Sequence, residues 1–143
     1  MANFTATVRT EQPADEVFAF VSDLENFVEW DPGVASSTQV EGDGPGLGAS
    51  YEVSASGAEL VYTVVEFDAP NRMVAEADTK LLHSYDVITV EVKQGSTYVT
   101  YDATLDLNGP LAMGDTAFGI MFKKIGESAI AGLVEALGGT RIS

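Results

Sequence analysis

Asp86 is the residue whose setting most plainly invites chemistry. It lies in the segment Leu82–Lys93, where Ile88, Val90 and Val92 share one phase and Thr89, Glu91 and Lys93 the other. Successive side chains of a strand point to opposite faces, so the phase that holds Ile88 also holds Ser84 and Asp86. A carboxyl on an apolar face is costly to ionise; its pKa rises, and it becomes a candidate general base or ligand anchor. The competing expectation is a hydrated carboxylate near the open end of a sheet. His83 falls with Tyr85 on the outer phase, unless a single bulge reverses the assignment. Tyr51 and Tyr101 sit in the apolar phases of their own segments, with Val53 and with Val99, Ala103 and Leu105. Their hydroxyls suit either a guest's oxygen or a backbone partner. Tyr62 stays open, because Leu60–Tyr62–Val64 and Val61–Val65–Phe67 compete for the inner face.

Other residue types narrow the choice. The chain has one histidine and no cysteine. Disulfides, thiolate nucleophiles, thiolate zinc sites and histidine-based metal clusters are therefore excluded, and neither a metal nor a cofactor is expected. The stretch Gly42–Gly48 has no following helix and no lysine, so it is no phosphate cradle. Carboxylate pairs such as Asp23/Glu25 and Glu29/Asp31 fall at helix ends or loops and read as solvated. Trp30 suits a core anchor or the wall of a pocket mouth. Met73, Met113 and Met121, with Phe118 and Phe122, supply adaptable apolar lining or plain core.

The elements that must position these groups follow from the spacing. Phe4, Ala6 and Val8 alternate with polar residues, a first strand. Pro13, Asp15 and Glu16 suit a helix start, and Ala14, Val17, Phe18, Val21 and Leu24 recur at helical spacing. A second short helix runs from Glu25 to Trp30 and stops at Asp31-Pro32-Gly33. Period-two segments then follow: Val34–Glu41, Leu47–Ala55, Glu59–Phe67, Arg72–Asp78, Leu82–Lys93 and Ser96–Leu107. A last helix starts near Asp115 and ends at Gly138-Gly139, with Phe118, Met121, Phe122, Ile125, Ala129, Leu133 and Leu137 as its buried stripe. Gly119 and Gly126 lie seven apart on one face, which suits close helix–sheet packing. One strand, two short helices, six strands and a long helix make a curved antiparallel seven-stranded sheet gripping that helix. The class is α+β, one domain over residues 1–143.

Size and charge bound the function. At 143 residues a single domain removes roughly 68–70% of its unfolded surface from water. The formal net charge is −15, with 7 basic against 22 acidic residues. Such a surface repels nucleic acid and anionic membranes, so neither is an expected partner. No apolar run approaches the roughly 20 residues of a membrane span. With no leader pattern in Met1–Thr5, a cytoplasmic monomer or homodimer is the expectation.

The opening Pro13-Ala14-Asp15-Glu16-Val17-Phe18-Ala19-Phe20-Val21-Ser22-Asp23 and the following Asn26-Phe27-Val28-Glu29-Trp30-Asp31-Pro32 resemble the start of the START/polyketide-cyclase/Bet v 1-like superfamily, the SRPBCC proteins. The glycine-rich hairpin and the turn Asp68-Ala69-Pro70-Asn71-Arg72-Met73 are similar to further landmarks of that group, and the resemblance spans the whole chain. It implies a helix-grip fold with a cavity between sheet and terminal helix. The architecture and this resemblance together suggest three functions. The first is binding of a hydrophobic or amphipathic small molecule such as a lipid, polyketide or isoprenoid-like compound. The second is a cyclase/dehydratase-like proton transfer in which Asp86 or a tyrosine moves the proton, and the third a chaperone-like or protein-partner module. The candidate binding residues are Trp30, Tyr51, Met73, Asp86, Ile88, Tyr101, Phe118, Met121, Phe122 and Ile125. A pocket of roughly 300 Å³ or more is the expected size.

Overall fold

The computed structural model describes residues 2–108 and 115–143, the first four of the latter by backbone alone. Strand β1 (Ala2–Thr10) leads into helix α1 (Ala14–Ser22), a short 3-10 turn (Leu24–Asn26) and helix α2 (Phe27–Trp30). Strands β2 (Val34–Glu41), β3 (Ser50–Ala55), β4 (Ala58–Asp68), β5 (Arg72–Asp78), β6 (Leu82–Lys93) and β7 (Ser96–Leu107) follow. Helix α3 (Asp115–Leu137) and a two-residue strand β8 (Thr140–Arg141) end the chain. The sheet is antiparallel in the order β2-β3-β4-β5-β6-β7-β1-β8. The expected seven strands are present, and β8 extends the sheet beyond β1.

Short polar turns explain why each strand pairs with the next, and β1 closes the order by pairing with β7 along Ala2–Thr10. Register shifts interrupt β2–β3 twice and β4–β5 once. The β4–β5 shift, between Val64 and Glu66, resolves the competition around Tyr62. Leu60, Tyr62 and Val64 face inward and are buried, while Val61 and Val65 face solvent. Beyond the shift the phase changes, and Phe67 packs edge-on against Phe18 of α1 at 5.4 Å. A bulge adds one residue to a strand and bends it, which is what a sheet closing around a helix requires. At the far end of β6, Val92 keeps the register of the strand but is exposed.

Helix α3 divides into two halves. Ala129, Ile130, Leu133 and Leu137 are buried against β1 and the α1–α2 region. Two glycines permit that contact: a Cβ on Gly126 would overlap the Phe4 ring, and one on Gly132 the Trp30 carbonyl oxygen. Gly119, expected to share the packing role of Gly126, has open space where its Cβ would be. Over the other half Met121 is exposed and Phe122 and Ile125 are partly buried. The helix is therefore clamped at its C-terminal end and stands off the sheet nearer its start. No helix among the described residues is long and apolar enough to cross a membrane.

Candidate functional site

The hollow lies under the stand-off half of α3. Its volume is about 190 Å³, and its walls include Phe27, Leu60, Leu82, Ala103, Leu105, Met121, Phe122 and Ile125. That is below the pocket size expected from the sequence, yet larger than a ~150 Å³ apolar cavity that accepts benzene. Asp31, Tyr62, Ser84, Asp86 and Tyr101 bring polar groups into the same space.

Alternation along β6 carries Ser84 and Asp86 inward, and both are buried. His83 faces outward, half exposed, beside Glu76 and Asp78. The Asp86 side chain receives one hydrogen bond, from the Tyr101 hydroxyl to Oδ2, at a long 3.4 Å. Burial in apolar surroundings pushes its carboxyl up to about 7; the Tyr101 bond opposes that shift, and the negative charges of Asp31 and Asp102 add to it. Asp86 is therefore buried on the inner face of the sheet rather than at an exposed strand end. The hydroxyls of Tyr62 and Ser84 share a bond of 2.7 Å, and burial raises the Tyr62 phenol well above its usual range. The Tyr101 phenol is raised for the same reason, with the Asp86 charge second.

Asp31 is the functional-looking group that sequence reasoning misses. The spacing reads it as solvated, but it is buried just after α2. Its Oδ1 accepts the Gly33 backbone N–H at 2.8 Å, the Asx-turn geometry that ends the helix. Burial raises its pKa, with that bond opposing. The signal available in the sequence is Asp31-Pro32-Gly33 directly after Trp30: a turn pinned to a buried tryptophan carries its first residue inward.

Phe27 and Trp30 set the position of this turn. Their rings meet at a tilt of 35° with centroids 4.8 Å apart, and Trp30 meets Tyr101 edge-on at 5.5 Å. Trp30 is thus a core anchor behind the polar cluster, and its indole N–H has no partner among the described residues. Tyr51, Met73 and Ile88 are also fully packed and lie outside the cavity lining; the Tyr51 hydroxyl is likewise unpaired. Of the residues expected to line the site, Asp86, Tyr101, Met121, Phe122 and Ile125 come together there. The side chain of Phe118, and Met113, lie outside the described residues. A second depression of about 890 Å³, between the α1–α2 region and α3, is an open groove on the outer surface. No group of three or more metal-ligating side chains occurs among the described residues.

An antiparallel sheet holding one long helix over a partly polar hollow defines the helix-grip class. The chain belongs to the family described as polyketide cyclase/dehydrase and lipid transport, which it matches over residues 1–138. Solved structures agree on the fold. A START superfamily protein from Mycobacterium smegmatis is 17% identical with a TM-score of 0.67, covering 96% of this chain and 94% of that one. A hypothetical protein from Helicobacter pylori is 12% identical at 0.77, covering 95% and 86%. A protein from Thermus thermophilus is 18% identical at 0.71, covering 94% and 96%. No curated protein matches the chain.

Proposed function

We propose that the chain binds a small amphipathic molecule in the cavity under α3. The observation that carries this reading is the make-up of the walls: mostly apolar side chains, with the hydrogen-bonded pairs Asp86–Tyr101 and Tyr62–Ser84 among them. Apolar surface supplies affinity in such pockets and a few polar groups fix orientation. A volume of about 190 Å³ suits a guest of one ring or a short branched chain. Toluene is the simplest probe. Saturating toluene should raise the melting temperature, as any ligand that binds only the folded state does. Ala58→Leu, which adds bulk at the half-buried rim, should abolish that rise while leaving the circular dichroism unchanged. No rise in the wild-type protein would sink the reading.

A second reading is proton transfer on such a guest, favoured by one observation. Burial pushes the Asp86 carboxyl up to about 7 in a partly open cavity, next to the Tyr101 hydroxyl. A general acid or base works best when its pKa lies near the working pH. Under this reading Asp86→Asn binds the guest and turns none of it over.

A further inference from the structure

The polar part of the cavity lining is unbalanced. Its described walls carry two carboxyls, Asp31 and Asp86, and no lysine, arginine or histidine. Asp86 is buried, yet among the described residues its Oδ1 has no hydrogen-bond partner and its Oδ2 has one long bond. Asp31 uses Oδ1 on the Gly33 N–H and leaves its other oxygen open. The hydroxyl donors, in contrast, are partly committed: Tyr101 donates to Asp86, and one hydroxyl of the Tyr62–Ser84 pair donates to the other, which leaves a single donor of that pair available. A guest carbonyl finds that one hydroxyl, whereas a guest donor finds open oxygens on both carboxyls.

We infer that the guest carries a protonated amine on a body of about one ring, its ammonium set against Asp86 Oδ1 with Asp31 close by. This rests on the cavity being a binding site and names the chemical class of what it takes. The usual objection to burying a charge is the loss of its hydration. Folding has already removed most of the water around the two carboxyls, so on the protein side much of that cost falls before the guest arrives. At pH 8 Asp86, with its carboxyl at about 7, is ionised, and an amine entering the site meets that carboxylate where charge-assisted hydrogen bonds are strongest. The net charge of −15 adds a long-range pull on cations.

Three isosteric probes test this: benzylamine, benzyl alcohol and benzoate, titrated at pH 8 and followed by the methyl resonances of Leu60, Leu82 and Leu105. The alcohol binds, the amine binds about tenfold tighter, as a hydrogen bond to a charged group predicts, and benzoate is rejected. In Asp86→Asn the amine loses its advantage and the alcohol keeps its affinity. Lowering the pH to 5.5 has the same effect on the wild type, because the Asp86 carboxyl is then protonated. The groups that bear on this titration are Asp31, Tyr62, Tyr101 and Asp102, and Lys124 of α3, which shares with Asp31 the groove next to the cavity. Equal affinity for amine and alcohol overturns the inference and leaves the cavity a binding site. An amine preference that survives both Asp86→Asn and Asp31→Asn overturns it too, since the source would then be the general surface charge. Failure of all three probes to move those methyls overturns the binding reading as well.

Discussion

One of the two buried carboxyls, Asp86, should give this protein an unusual pH dependence. Asp86 keeps its proton to about pH 7 in the folded state, against an ordinary aspartate value of 3.8. Between those values the folded chain holds a proton that the unfolded chain has released. Stability therefore falls as pH rises from about 4 to about 7, and the full penalty stands above that range. A shift of this size corresponds to up to about 4 kcal/mol. Asp86→Asn removes the ionisation and keeps the shape. It should be more stable than wild type by about 2–4 kcal/mol at pH 8 and nearly equal at pH 4, in urea melts at both values. Asp31, raised in the same direction, leaves a residual slope in the variant. A wild-type stability that is flat across this window would mean that Asp86 is hydrated in solution. A penalty of this kind is tolerated where function needs the group.

At the scale of elements, two glycines of one helix should respond in opposite ways to the same change. Gly132→Ala drives a methyl into the Trp30 carbonyl oxygen, and backbone cannot step aside as a side chain can. The helix must lift from α2, at a cost of about 3 kcal/mol or more. Gly119→Ala meets nothing within 4 Å and gains about 1 kcal/mol of helix propensity. Thermal melts of the two variants should move in opposite directions; a parallel fall would show that the start of α3 is also packed. Both glycines look alike in the sequence, where spacing pairs Gly119 with Gly126 and says nothing of Gly132. Alternation and turn residues made the strands legible: the bounds of β2, β5, β6 and β7 follow from them. Asp86 was legible for the same reason, since period two held along β6. What failed to show were features that depend on distant contacts. The register shift near Val65 reverses phase without any local marker, and Asp31 is buried only because Trp30 beside it is wedged between Phe27 and Tyr101. The half of α3 that packs and the half that stands off have similar apolar content, so periodicity alone predicts one continuous buried stripe.

At the scale of the whole molecule, the surface charge works against the fold. The 22 acidic residues are spread along the chain, and few of them face a cation: among the described residues, close ion pairs link Arg72 to Glu66, Lys93 to Glu91 and Arg141 to Glu127. These pairs are at the surface, where each contributes little. Repulsion among the remaining carboxylates is greater in the compact state than in the expanded one, because unfolding moves like charges apart. Salt screens that repulsion over a Debye length of about 10 Å at 0.1 M and about 30 Å at 0.01 M. The melting temperature should therefore rise steadily as sodium chloride goes from about 10 mM to about 1 M, most steeply at the low end where the screening length changes most. Potassium chloride should act alike, since the effect is one of ionic strength, and sucrose, which stabilises by exclusion, should show no such steep onset. The Asp86 contribution separates cleanly from this one. Buried charges are screened far less than surface ones, so the gain of Asp86→Asn over wild type at pH 8 should persist in high salt. If salt instead closed the gap between the two proteins, the Asp86 penalty would be part of the surface field rather than of the cavity.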